Sequence, residues 1–112
     1  MQLLEQHKLD EMVKSFGSEL VLELLDRMLG MDIAKIRLTV EQDDLASAEL
    51  MLHRLNSDSG WLGADRLHEQ AERLEQQAAE RQAEALRAGL DGLEELFALT
   101  LPLLSQARGR LA

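Results

Sequence analysis

The side chains able to carry chemistry in this chain are few. There are three histidines and no cysteine, which excludes a disulfide scaffold and a Cys-ligated zinc site. His53 lies in the stretch LHRLNSDSGWLGA, residues 52–64. Leu45, Ala48, Leu52 and Leu55 recur at the spacing of a buried helical stripe. At helical pitch His53 stands about 100° from Leu52 and about 200° from Leu55, on the side that faces water. It shares that side with Ala46, Glu49, Asn56, Ser57 and Gly60, which beyond His53 are small or short and polar. Imidazole changes charge near neutrality, so an open one on a rigid helix is an accessible nitrogen nucleophile. His7 has no partner pattern and reads as a surface residue. His68 and Glu72 have a metal-ligand spacing, but two surface ligands do not make a site.

Helices must position these groups. Hydrophobic residues make up 46% of the 112-residue chain and aromatics only 3%, with Leu, Ala, Glu, Gln and Arg abundant. That composition predicts an all-α fold. The length suits one domain with one core. Residues 2–15 read as a short first helix with Leu3, Leu4, Met12 and Val13 inward. Gly17 suits its end and Ser18 the next N-cap. A second helix is predicted from about Glu19 to Val40, with Gly30 tolerated inside its long apolar stripe. Asp43 or Asp44 caps the third helix, which carries His53 and stops between Gly60 and Gly63. Trp61, at that helix end, reads as partly buried packing, with a docking role as the second reading.

Asp65 is the expected cap of a fourth helix, from Arg66 to about Ala79, with Leu67, Ala71, Leu74 and Ala78 inward. No Gly or Pro marks its end. A reversal is required there, because one helix from Arg66 to Leu101 would be about 54 Å long. The last helix carries Leu86, Leu90, Leu93, Phe97, Leu101 and Leu104. Gly89 and Gly92 on it suit close helix approach, and Pro102 predicts a kink or an end nearby. The expected architecture is an antiparallel up-down-up-down four-helix bundle over residues 18–110, with an N-terminal lid helix in 1–16, the whole of 1–112 being one domain.

The net charge of −9 offers no basic face for nucleic acid. Most of the acidic residues read as a solvated exterior, and the field favours a partner with a basic docking rim. No apolar run reaches the ~18 residues of a membrane span. The N-terminus lacks a signal-peptide pattern, so a cytoplasmic location and no membrane insertion are expected.

The stretch after His53 resembles the histidine-containing phosphotransfer domains of two-component phosphorelays. Their usual core runs His-x-Leu-Lys-Gly-Ser-Ser/Ala-Gly-x-hydrophobic-Gly-Ala. His53, Leu55, Ser59, Gly60, Leu62, Gly63 and Ala64 match it in register, and Leu67, Ala71, Leu74 and Glu75 match its continuation. Three positions depart: Asn56 for Lys, Ser57 for Gly and Asp58 for Ser. The resemblance implies that His53 accepts a phosphoryl group from a receiver-domain aspartate and passes it to another. It implies partners that are the receiver domain of a response regulator or of a hybrid sensor histidine kinase. The Mg²⁺ sits in that receiver, with no cofactor on this chain. The expected docking residues are Glu49, Leu50, Asn56, Ser57 and Gly60, on a monomer. Loss of the Lys charge tunes transfer by less than about tenfold. Ser57 either crowds the receiver or offers a hydroxyl. Asp58, about 140° around from His53, repels the phosphoryl group only through screening solvent. The alternative is a module that binds a receiver or kinase without phosphotransfer. No nucleotide-binding glycine loop is present, so the chain is not a kinase on its own.

Overall fold

A computed structural model describes residues 1–112 as helices and turns, without strands. The helices are α1 Gln6–Phe16, α2 Ser18–Leu29, α3 Ala34–Glu41, α4 Leu45–Leu62, α5 Asp65–Ala79 and α6 Ala83–Leu111. α4 packs on α5, α5 on α6, α6 on α2 and α3, and these two on α4. That closes a four-helix bundle in which α2 and α3 share one position. α1 lies against α2 and α4 as the additional N-terminal helix. A single cluster of 23 buried apolar side chains joins all six, so there is one core.

The single helix expected over 19–40 is two. Val21, Leu25 and Met28 form the buried stripe of α2. Continued at helical pitch, that stripe would bury Asp32 and Lys35, at a large desolvation cost. The helix instead stops at Gly30, and the Asp32 side chain accepts a hydrogen bond from the Ala34 amide at 3.2 Å as the chain restarts. Asp32 and Lys35 turn outward, and Ile36 and Val40 resume the core.

α1 begins at Gln6 and not at residue 2. The preceding segment is tied down by backbone, the Glu5 amide donating to the Gly63 carbonyl at 2.8 Å. Gly63 ends α4 at φ +80°, and a Cβ there would lie 2.9 Å from the Glu5 carbonyl oxygen. Glycine is thus required both by the left-handed turn and by the close approach. Asp44 caps α4 by accepting from the Ser47 amide, and the Ser47 side chain together with that amide holds its carboxyl below the usual carboxylate range. Asp65 is not a cap. It is the first residue of α5, and both its oxygens accept from Lys8 Nζ at 2.9 Å, fastening α1 to the hairpin corner.

The reversal after α5 falls at Glu80–Gln82, where Arg81 takes φ +59°. Gly89 on α6 faces Leu74 so closely that an added Cβ would lie 2.5 Å from its Cδ2. Pro102 does not end α6, which continues to Leu111. Ala98, whose carbonyl loses its partner to the proline, is exposed, and so is Pro102. The freed carbonyl thus lies on the solvent side of the helix, while Thr100, Leu104 and Ala107 keep the buried stripe in phase.

Candidate functional site

α4 carries His53 mid-helix between the buried Leu52 and Leu55. Its side chain is 61% exposed. Nδ1 lies 2.9 Å from Glu75 Oε2, on α5, and Nε2 has no protein partner. The other oxygen of Glu75 accepts a hydrogen bond from Asn56 Nδ2 at 2.8 Å. One half-buried carboxylate thus links two α4 side chains one turn apart. An imidazole held through Nδ1 has a fixed ring plane and presents Nε2 outward.

Glu75 is a site residue that helical periodicity alone misses, because it stands beside Leu74 on another helix. The signal for it lies in the hairpin. His53 and Glu75 are 22 residues apart, equidistant from Ala64, where α4 and α5 reverse. Gly60 and His68 are related by the same centre.

The expected docking residues are differently disposed. Leu50 is exposed; Glu49, Asn56, Ser57 and Gly60 are half-buried. Asn56 faces α5 and is occupied by Glu75. A Cβ on Gly60 would lie 3.0 Å from His68 Nδ1, so this glycine makes room for α5. His68 is accordingly not a free surface residue. Its Nδ1–H donates to the Asn56 carbonyl at 3.0 Å, and Nε2 is 3.7 Å from Glu72. Ser57 points the other way, toward α1 and α2.

Asp58 and Trp61 need correction. Asp58 does not share the solvent near His53. It is buried and binds Arg27 of α2, with Oδ2 3.0 Å from Nε and Oδ1 2.5 Å from Nη2. The bond raises the Arg27 pKa further, so the guanidinium stays charged. Trp61 is 56% exposed. Its ring meets that of Phe16, equally exposed, edge to face at 6.3 Å. Together with Met12, Leu20 and Leu24 they line a groove of about 270 Å³, floored by Ser57, Asp58 and Arg27. Ser57 is one helical turn from His53 and Trp61 two turns, so the groove extends the His53 face toward α1.

The sequence model of the Hpt domain matches residues 19–101. This chain belongs to the Hpt domain family. No curated protein and no solved structure matches it significantly. The match begins at the start of α2 and ends in α6 just before Pro102, so it spans the whole bundle and omits α1. Hpt domains act in histidine phosphotransfer of two-component signalling, with receiver domains and kinases as partners. No helix here is long and apolar enough to cross a membrane.

Proposed function

We propose that this Hpt domain is a phosphorelay intermediate whose acceptor is Nε2 of His53. It takes the phosphoryl group from one receiver aspartate and delivers it to another. The observation that carries this reading is the exposed imidazole on a packed helix, with Nδ1 engaged by Glu75 and Nε2 open. His7 is a poorer candidate, since it lies on α1 outside the matched residues. His68 is poorer too, being partly covered and bonded to backbone.

Phosphoryl transfer asks little covalent chemistry of the acceptor domain. Positioning and charge neutralisation do most of the work, and the receiver brings the Mg²⁺. This chain supplies a fixed imidazole and a surface beside it. A receiver that places its aspartyl phosphate against Nε2 would also cover Leu50 on one side. On the other it would cover Ser57 and the groove edged by Phe16 and Trp61. Exposed aromatic side chains next to a reactive group are the usual anchors of a protein interface.

Incubation with a phosphorylated cognate receiver is the test. A base-stable, acid-labile phosphoryl group should appear on the chain, and His53→Gln should abolish it. The substitution should move unfolding by less than ~0.5 kcal/mol, because the site is exposed. Labelling that persists in the variant would place the acceptor elsewhere. Binding of the receiver without any labelling would leave the chain a docking module.

A further inference from the structure

We propose that Arg27 determines which receivers dock, as a guanidinium clamped by the buried Asp58 with one edge left free for a single carboxylate of the partner. This rests on the reading that a receiver covers the groove beside His53. A guanidinium has two hydrogen-bonding edges, one formed by Nε and one Nη, the other by the two Nη groups. The first edge of Arg27 is filled, Nε donating to Asp58 Oδ2 at 3.0 Å and Nη2 to Oδ1 at 2.5 Å. Nη1 has no protein partner. The Arg27 side chain is 65% exposed although that of Asp58 is only 3% exposed. The cation is thus held from below and open above, in a groove that it lines together with Phe16, Ser57 and Trp61.

Arg37 shows what such a group does when a second carboxylate is within reach. It binds Glu94 through Nε and Nη2, and Nη2 also donates to Asp91. Arg27 has the first kind of partner and lacks the second. Because Asp58 already fixes its plane, it gives up less rotamer freedom on meeting a carboxylate than an unheld lysine would.

Two departures from the Hpt pattern act together here. The usual lysine would stand at position 56, about 60° around α4 from His53 on the side of α5. Asn56 is there instead and is spent on Glu75. Asp58 stands about 140° around in the other direction and recruits a cation from α2. The cation that flanks the acceptor has changed sides. With a net charge of −9, the chain favours partners whose rim is mostly basic. One carboxylate set in that rim against Arg27 then marks the right receiver. A receiver with Lys or Arg at that point would bring like charges together and be turned away.

The test titrates the chain with each receiver domain of the source organism. Arg27→Gln combined with Asp58→Asn removes both charges, so no buried carboxylate is left unpaired. It should weaken binding of the cognate receiver about tenfold or more. Loading of His53 by phosphoramidate should be unchanged, which a general folding defect would not allow. Asp58→Ser alone should weaken binding in the same direction by releasing the clamp, and it serves if the double variant fails to fold. Arg27→Lys keeps the charge without the fork and should restore binding only in part. Double-mutant cycles against the receiver's surface Asp and Glu residues should find one that couples to Arg27. Binding unchanged in the variants, or no coupled carboxylate, would overturn the proposal. A receiver that loads His53 equally well with and without Arg27 sinks this proposal and leaves the relay reading standing. Coupled binding that never labels His53 does the opposite, and a chain that no receiver binds loses both.

Discussion

Asp58 occupies a position where Hpt domains usually carry serine, and its partner is Arg27 on another helix. The two ends of this pair differ in burial: the Asp58 side chain is 3% exposed and that of Arg27 65%. Removing one end is therefore not equivalent to removing the other. Arg27→Ala leaves a carboxylate buried without its cation and should cost about 3 kcal/mol in urea unfolding. Asp58→Ser leaves only a solvated guanidinium and should cost less than about 1 kcal/mol. Equal costs would mean that the carboxylate reaches water. The pair also shows where sequence reasoning stops at this scale. Helical geometry put Asp58 well around the helix from His53, but one helix cannot say what its neighbour presents there. The hydrogen bond from Asn56 to Glu75 was hidden for the same reason. His53 itself was legible because its exposure follows from the phase of its own helix.

Turns and helix ends were legible where one residue type has one use. Gly63 is such a residue. Gly63→Ala meets both a left-handed backbone and the Glu5 carbonyl at 2.9 Å, and it should cost about 2–3 kcal/mol. It should also loosen residues 1–5, measured as faster amide exchange at Glu5, because the Glu5–Gly63 bond is what holds them. Unchanged exchange at Glu5 would mean that the segment is held by its side chains. The break between α2 and α3 was less legible, since its apolar stripe looks continuous unless Asp32 and Lys35 are tested against the buried phase. α3 is then secured to α6 by Arg37, which donates to Glu94 at 2.7 and 3.0 Å and to Asp91 at 2.5 Å. The hydrogen bonds from Arg37 hold the Glu94 carboxyl below its ordinary value of 4.5. A group whose folded value is depressed stabilises above its unfolded value and loses that contribution as pH falls through the folded one. Unfolding midpoints should therefore drop as pH falls below about 4.5, and Arg37→Ala should flatten that part of the profile. A pH profile unaltered by the substitution would assign the acid sensitivity to other carboxylates.

On the whole molecule, a net charge of −9 surrounds a face that must meet a partner's aspartyl phosphate. Like charges work against that encounter, so the attraction has to come from a basic rim on the receiver and from apolar contact. The apolar part was not legible in the sequence. Trp61 reads as packing when α4 is taken alone, and only the lie of α1 brings Phe16 against it. The two contributions separate experimentally. Raising salt should slow association of the receiver, because exposed charges are screened beyond about 10 Å at 0.1 M. It should leave the apolar contribution nearly untouched. Trp61→Ala should do the reverse. It removes an exposed ring whose loss costs the fold no more than its edge contact with Phe16, about 1 kcal/mol. If the groove is an anchor, the same change should weaken receiver binding by about 2 kcal/mol or more, roughly thirtyfold in Kd, with the salt slope unchanged. Titration calorimetry at two salt concentrations reads both effects, and the single tryptophan of the unaltered chain reports its own burial by a blue shift. A Kd that survives Trp61→Ala would confine docking to the surroundings of His53 and leave the groove outside the contact.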